Sequence, residues 1–131
     1  MKTKLFLLML LATSTLSAQN KLTVVIDGIE NVKGHIMVAL YDKESKQVGA
    51  EMEKIESESI TVVFEKILAG EYAVSVFQDE NDNKKLDTGA FGIPKEKYGF
   101  SNNAKGMFGP PEFEDRLFKI ADDTEINITL R

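Results

Sequence analysis

Apolar and polar side chains alternate along five short segments of this chain, and the alternation constrains the fold more than any other feature. A period of two places one side of a strand on a core and turns the other toward solvent or a second layer. No segment has the spacing and caps of a long amphipathic helix, so we expect an all-β fold built as an antiparallel β-sandwich. The alternating residues are Leu22, Val24 and Ile26; Ile36, Val38 and Leu40; Ile60, Val62 and Phe64; Tyr72, Val74 and Val76; and Ile126, Ile128 and Leu130.

The step into the fourth of these segments carries a more specific signal. Leu68, Gly70 and Tyr72 stand two residues apart, directly before the alternating run. This spacing is typical of immunoglobulin-like and transthyretin-like sandwiches, in which the tyrosine hydroxyl bonds back to the preceding corner. We therefore expect an immunoglobulin/transthyretin-like β-sandwich in which Tyr72 has a structural role.

Residues 51–58 fit two kinds of secondary structure. The segment is the nearest approach to a helix in the chain, but charged side chains dominate it. An edge strand accommodates the same residues, because one of its sides faces water. The sequence leaves both alternatives open.

Residues 1–18 have the composition of a secretory signal peptide. Lys2 and Lys4 precede an unbroken apolar run over residues 5–12, and Ala18 is a small residue before the expected cut. The run is far shorter than the ~20 residues that span a bilayer, so we expect no membrane span. The domain then comprises residues 19–131 and is exported to the periplasm or the extracellular space. Its charge becomes −7 rather than −5, because two of the 16 basic residues are lost and all 21 acidic residues remain.

Cysteine is absent from the chain and histidine occurs once, as His35. Disulfides, thiol catalysis, zinc–thiolate centres and two-histidine metal sites are thereby excluded. The acidic balance disfavours nucleic acid and anionic membranes as partners. We predict a non-catalytic binding or accessory domain whose partner is a glycan or a protein. The alternatives are a purely structural envelope protein and a small secreted hydrolase, whose candidate residues are His35 and the carboxylates of Glu112, Glu114 and Asp115.

One stretch, residues 79–117, lacks sustained alternation. It contains all three prolines and five of the nine glycines, and a loop of this length in a compact domain is usually functional or disordered. Its aromatic content favours order, so we expect one long ordered loop excursion that packs onto the sandwich. The aromatic residues are Phe91, Tyr98, Phe100, Phe108 and Phe113.

The beginning of this excursion has the oxygen spacing of a calcium-binding loop. Side chains at positions one, three, five and nine of such a loop point their oxygens inward, and position seven offers its carbonyl. Hard cations such as calcium prefer these carboxylate, amide and carbonyl oxygens. The predicted calcium ligands are Asp79, Asn81, Asn83, Lys85 and Asp87.

The calcium pattern is incomplete, so a second interpretation stays open. Lys84 stands where the full pattern has glycine, and Ala90 stands where it has a bidentate glutamate. The alternative is an Asx-rich turn whose side chains cap their own backbone. If calcium binds, a further carboxylate comes from later in the excursion. The candidates are Glu96, Glu112, Glu114 and Asp115.

Five runs of the sequence carry a resemblance to a known family. They lie at residues 70–74, 79–87, 92–96, 98–104 and 108–115, and the last two are long and specific. Through them, residues 22–131 resemble the DUF2141 family of exported bacterial proteins, a domain of unknown function. The resemblance implies a compact β-sandwich with a signal peptide and no established reaction.

Asn102 and Asn103, within one of these runs, allow two interpretations. Their amides and the nearby aromatic side chains could form a rim that grips a sugar or a peptide. Alternatively, the amides satisfy backbone groups of a packed loop, which would otherwise lack hydrogen-bond partners. We expect the second role.

Overall fold

The computed structural model describes residues 19–81, 96–107 and 109–131. The predicted signal peptide, residues 1–18, therefore lies outside the described residues. The described chain forms eight strands, one 3₁₀ turn (Ser101–Asn103) and one short helix, α1 (Phe113–Arg116). The strands are β1 (Asn20–Asp27), β2 (His35–Asp42), β3 (Gln47–Lys54), β4 (Ile60–Ile67), β5 (Gly70–Asp79), β6 (Tyr98–Phe100), β7 (Phe118–Ile120) and β8 (Thr124–Thr129).

The strands form two sheets. In the first, β1 lies between β4 and β8; in the second, β2 lies between β3 and β5, and β6 and β7 both pair with the other side of β5. Strand pairs are antiparallel except β1 with β8, which run parallel. The predicted all-β fold with two antiparallel-rich sheets is confirmed. Its finer assignment to the immunoglobulin or transthyretin type stays a prediction.

The alternating apolar residues pack together in the core. All but three of them are buried, and those three, Ile60, Tyr72 and Ile126, pack against the buried cluster. Burying such side chains is worth roughly 1.5–3 kcal/mol each before conformational entropy is subtracted, so this cluster supplies most of the driving force for folding. Three core residues stand outside the alternating sets, and they are Ile29, Ile55 and Ile120.

Strand β3 settles the question left open for residues 51–58. Residues 51–54 complete β3, at the edge of the second sheet, and residues 55–58 leave the strand. The helical alternative is wrong, because β3 pairs with β2 over its length. Glu51 and Glu53 stand opposite Val38 and Ile36, so the core-side positions of this edge strand carry charges. Charges at such positions discourage a second chain from pairing with the free edge.

Strands β6 and β7 behave as one edge strand with an insertion in its middle. Strand β6 pairs with Ser75–Phe77 of β5, and β7 pairs with Gly70–Tyr72. Residues 101–117, which we call the insertion, leave the sheet and return to it across a gap of two β5 residues. In its described part, the predicted excursion over residues 79–117 contains three short regular elements: β6, the 3₁₀ turn and α1.

The tyrosine corner predicted at Tyr72 is present. The Tyr72 hydroxyl donates a hydrogen bond of 2.7 Å to the carbonyl oxygen of Leu68, four residues earlier. Burial raises the pKa of this hydroxyl, and the charge of Asp42 raises it further. The corner therefore holds the neutral phenol and disfavours its ionisation.

We expect Tyr72→Phe to lower the free energy of unfolding by about 1 kcal/mol at neutral pH, the usual worth of one such hydrogen bond. A raised pKa in the folded state stabilises the fold below the unfolded-state value of about 10, and this contribution is lost as the pH rises through the folded-state value. The difference between the two proteins should therefore shrink above about pH 10. Urea denaturation between neutral and alkaline pH measures it. Tyr41→Phe is the matched control, and an equal loss in that variant would contradict a specific role for the corner.

Within the described part of the chain, no helix is long and apolar enough to cross a membrane. The longest helical element there is α1, which has four residues.

Candidate functional site

The predicted calcium loop begins where β5 ends. Asp79, the last residue of β5, is only 1% exposed and stands opposite His35 in the sheet register. The preceding residue, Gln78, is fully buried, and its side-chain amide donates hydrogen bonds to the carbonyl oxygens of Asn31 (2.7 Å) and Lys33 (3.2 Å). These bonds join the end of β5 to the β1–β2 connection, so the main chain that carries Asp79 is held from two sides.

Gly34 brings the β1–β2 connection against Asp79. Its φ of +76° lies in the region that favours glycine. A side-chain carbon at this position would overlap the carbonyl oxygen of Asp79. The Gly34 carbonyl oxygen also accepts a hydrogen bond of 3.0 Å from the Ile55 N–H. The absence of a side chain is therefore required for β5 and the β1–β2 connection to meet.

Glu96 lies beside the same point from the other end of the connection between β5 and β6. It is 7% exposed, and its Oε2 accepts a hydrogen bond of 2.7 Å from the Glu80 N–H. The N–H of Gln78 donates to the carbonyl oxygen of Lys97 at 2.9 Å. The chain therefore leaves β5 and returns to it at one place, with buried carboxylates at Asp79 and Glu96.

Two ion pairs surround this place. Lys97 Nζ lies 2.7 Å from a carboxylate oxygen of Glu30, and Lys33 Nζ lies 3.7 Å from one of Glu80. The side chains of Lys33 and Glu30 are largely exposed, so each pair contributes at most about 1 kcal/mol to stability. Their main effect is to place two cationic side chains beside this group of carboxylates.

The insertion is anchored by its own polar side chains. The Ser101 hydroxyl accepts a hydrogen bond from the Val74 N–H at 2.9 Å and donates one to the carbonyl oxygen of Arg116 at 2.5 Å. The side-chain amide of Asn102 donates to the carbonyl oxygens of Asp115 (3.1 Å) and Leu117 (2.8 Å). These bonds hold the two ends of the insertion together where it leaves the sheet.

Asn103 continues this anchoring toward the first sheet. Its Oδ1 accepts a hydrogen bond of 2.9 Å from the Thr129 N–H in β8. Asn102 and Asn103 both have positive φ, a conformation that asparagine tolerates better than most residues. The expectation that these asparagines satisfy backbone groups is thus confirmed.

Arg116 fastens the far end of the insertion. Its guanidinium lies 4.1 Å from the centre of the Phe100 ring, and its Nη2 donates to the Pro111 carbonyl oxygen at 2.7 Å. Burial lowers the pKa of this guanidinium, while the nearby Tyr41 and Glu112 act in the opposite direction. Arg116 therefore packs as a structural cation.

A match to a protein-family model covers nearly the whole domain, from β1 to β8. The family described as an uncharacterized protein conserved in bacteria, DUF2141, matches residues 24–129. The chain belongs to this family. No curated protein and no solved structure matches the chain. The DUF2141 match extends from β1 to β8 and includes both the end of β5 and the insertion, so these features lie within the family domain.

Of the ligands predicted for calcium in this DUF2141 domain, two are described. Asp79 is buried and Asn81 is exposed, immediately after β5. Within residues 19–81, 96–107 and 109–131, no group of three or more His, Asp or Glu side chains is arranged to hold a metal. The remaining predicted ligands, Asn83, Lys85 and Asp87, lie outside the described residues.

The carboxylates considered for a hydrolase lie at the surface. Glu112, Glu114 and Asp115 are all exposed, on or just before α1. The paired carboxylates of a glycosidase lie in an enclosed substrate cleft, whereas these three side chains are open to solvent. His35 is half-buried at the start of β2, next to Asp79 in register. The structure thus places His35 at the calcium-loop end of the sheet and the three carboxylates in the insertion.

Three residues that organise these regions were not singled out from the sequence. Gln78 carried a weak signal, because it is a polar residue at the next alternating position after Val76. Ser101 carried no signal in the sequence, because its hydrogen bonds to Val74 and Arg116 join segments that are distant in the chain. Gly34 carried only the general signal of a glycine between two alternating segments, and its contact with Asp79 joins positions 45 residues apart.

Proposed function

We propose that this DUF2141 domain is an exported, non-catalytic binding domain whose loop after β5 binds calcium. Calcium would order the loop and so shape a surface for a glycan or protein partner. The proposed ligands are Asp79, Asn81, Asn83, Asp87 and the carbonyl oxygen of Lys85.

The observation that carries this proposal is the burial of Asp79. A carboxylate taken out of water is stable only when hydrogen bonds or a cation replace its lost hydration. Asp79 stands at position one of the loop pattern, a position that supplies a carboxylate to calcium. It also contacts other groups of the chain. An ionised carboxylate offers about four lone-pair sites on its two oxygens, so coordination of calcium is compatible with these contacts.

Glu96 supports the version of the site that is completed from beyond Asp87. Its carboxylate lies against the Glu80 N–H, one residue from Asp79. Both carboxylates would attract a cation that binds at this end of β5. Calcium takes six to eight oxygen ligands in a flexible arrangement, so a carboxylate that follows the loop suits its coordination.

Export is part of the same proposal. Strand β1 begins at Asn20, directly after the predicted signal peptide, so removal of residues 1–18 would leave every described strand intact. Calcium sites of extracellular modules bind with dissociation constants of roughly 0.1–1 mM. An incomplete loop of this kind therefore suits a compartment outside the cytoplasm.

We expect a calcium titration of the purified protein to give saturable heat with a dissociation constant of roughly 0.1–1 mM. At ~5 mM calcium, a mid-range constant corresponds to about 1.4 kcal/mol of added stability, or about 5 °C in the melting temperature. Asp79→Asn should remove most of the heat and of the melting shift, because it keeps the shape of the side chain and removes its charge.

Asp122→Asn is the matched control, because Asp122 is exposed in the β7–β8 turn and the substitution removes the same charge. That variant should bind calcium as the unchanged protein does. The absence of both heat and a melting shift at ~5 mM calcium would overturn the proposal. Equal losses in the two variants would show that calcium responds to overall charge rather than to the loop.

A further inference from the structure

A pocket of about 250 Å³ lies between β6, the first part of the insertion and the end of β8. We call it the β6–β8 pocket. None of its described lining residues belongs to the end of β5 or to the β1–β2 connection. The residues that matter for its chemistry are Tyr98, Phe100, Asn103, Lys105, Pro111 and Arg131.

The walls of the β6–β8 pocket are held by main-chain hydrogen bonds. Arg131 and Tyr98 bond to each other in both directions, with the Arg131 N–H donating at 3.0 Å and the Tyr98 N–H donating at 3.4 Å. Asn103 fastens the 3₁₀ turn to Thr129. Gly106 lies so close to the main chain of Gly109 that a side-chain carbon there would overlap it. A pocket built this way exists before a ligand arrives, which limits the entropy cost of binding.

The charged side chains that line this pocket are both cationic, whereas the chain as a whole is acidic. Lys105 and Arg131 line it, and no Asp or Glu is among its described lining residues, whereas the whole chain carries −5. In the described part of the chain, neither cation forms an ion pair. Asn103 uses its oxygen on Thr129, so its amide N–H groups are available as further donors.

The lining also has an apolar part. Tyr98 and Phe100 are neighbouring aromatic residues in an edge-to-face arrangement, with ring centres 5.7 Å apart, and Pro111 is buried. A cavity of about 150 Å³ accepts benzene, so this volume admits one six-membered ring with a small substituent. The face of a bound ring would pack against the aromatic and proline side chains of the pocket. A carboxylate on that ring would contact the cations Lys105 and Arg131.

We infer that the β6–β8 pocket binds a single six-membered ring that carries a carboxylate. The ring belongs to a sugar acid or to an aromatic acid, and the shared requirement is the negative charge. The inference rests on the proposed role as a binding domain but not on calcium, because none of the described lining residues is a proposed calcium ligand. A failed calcium titration therefore leaves it standing, and the reverse also holds.

The test is an NMR titration of the purified, isotope-labelled protein with glucuronate, benzoate and neutral glucose, each with and without calcium. We expect saturable shifts of the backbone amides at residues 98–106 and 129–131 with at least one of the two acids, at a dissociation constant of about 1–5 mM. Glucuronate alone would identify a sugar acid, and benzoate alone an aromatic acid. Glucose should give no such shifts.

Lys105→Gln and Arg131→Gln should each weaken binding about tenfold, the effect of losing one charge-assisted hydrogen bond. Both side chains are exposed, so both variants keep the fold. Lys119→Gln is the control, because it removes the same charge from an exposed position on β7. Equal weakening by all three variants, equal binding of glucose, or no saturable shift with either acid at ~20 mM, several times the expected constant, would overturn the inference.

Discussion

Replacing Gly34 with alanine is expected to lower the free energy of unfolding by about 3–5 kcal/mol, an unusually large effect for the addition of one methyl group. Two costs combine at this position. A left-handed conformation costs an alanine about 1–2 kcal/mol, and Gly34 has a φ of +76°. The added carbon would also overlap the carbonyl oxygen of Asp79, a main-chain atom that moves only if the end of β5 moves with it.

The fixed surroundings make relief of this overlap costly. The Gly34 carbonyl oxygen bonds to the Ile55 N–H, and the preceding residues accept hydrogen bonds from the buried side chain of Gln78. Any shift that frees the new methyl group therefore lengthens hydrogen bonds in a buried region, where each unsatisfied group costs about 1–3 kcal/mol. The strain should also displace Asp79, so the proposed calcium binding should weaken in whatever fraction of the variant stays folded.

Urea denaturation of Gly34→Ala and Gly109→Ala measures the effect. Gly109 is the matched control, because a side-chain carbon at that position meets nothing within 4 Å and its φ is not in the left-handed region. Gly109→Ala should change stability by less than about 0.5 kcal/mol. A loss below about 1 kcal/mol in Gly34→Ala would show that the two segments separate easily, and the account of a rigid β5 end would then fail.

The long strands could be predicted because their side chains report on the core directly. In β1, β2 and β4, every second residue faces the same hydrophobic layer. A period of two in the sequence therefore indicates which residues are buried. The parallel pairing of β8 with β1 has no corresponding pattern in the sequence. Leu22 and Thr124 are partners although they lie near opposite ends of the domain in the sequence, and no local residue pattern specifies the direction of a neighbouring strand.

Strands β6 and β7 were missed because each has three residues, too few to show a period. What places them is their pairing with β5, and the evidence for it is distributed over distant residues such as Phe100 and Ser75. In the candidate site, too, local features could be predicted and long-range contacts could not. Asp79 was predicted from local spacing, whereas the contacts made by Gly34, Gln78 and Glu96 join segments that the sequence separates. Short-range patterns therefore predict ligand types, and long-range packing determines how they are held.

Ser101 is the residue on which the insertion depends. Strand β6 ends at Phe100, opposite Ser75, and β7 resumes at Phe118, opposite Tyr72. Between them, the Val74 N–H of β5 has no strand partner, and the Ser101 hydroxyl accepts its hydrogen bond instead. The same hydroxyl donates to the Arg116 carbonyl oxygen, where the insertion returns. One side chain thus completes a sheet and closes a loop of 17 residues.

We expect Ser101→Ala to lower the free energy of unfolding by about 2–4 kcal/mol, because it leaves one buried and one partly buried main-chain group without its partner. Ser101 and Val74 are both fully buried, and a methyl group at position 101 admits no water in place of the hydroxyl. Ser57→Ala is the matched control. Ser57 also donates a short hydrogen bond, 2.6 Å to the Ser59 carbonyl oxygen, but at an exposed position where water replaces it.

The position at which Ser101→Ala loosens the structure distinguishes the loss of these two hydrogen bonds from a general loss of packing. Asn102 still bonds to the Asp115 and Leu117 carbonyl oxygens in Ser101→Ala, so the insertion should loosen rather than detach. Hydrogen exchange should therefore quicken first at the Val74 amide and across α1, while the amides of β1, in the other sheet, follow only the global loss of stability. Uniform acceleration in both sheets would mean that Ser101 supports the whole core. Unchanged exchange at Val74 would mean that the hydroxyl does not replace a strand partner there.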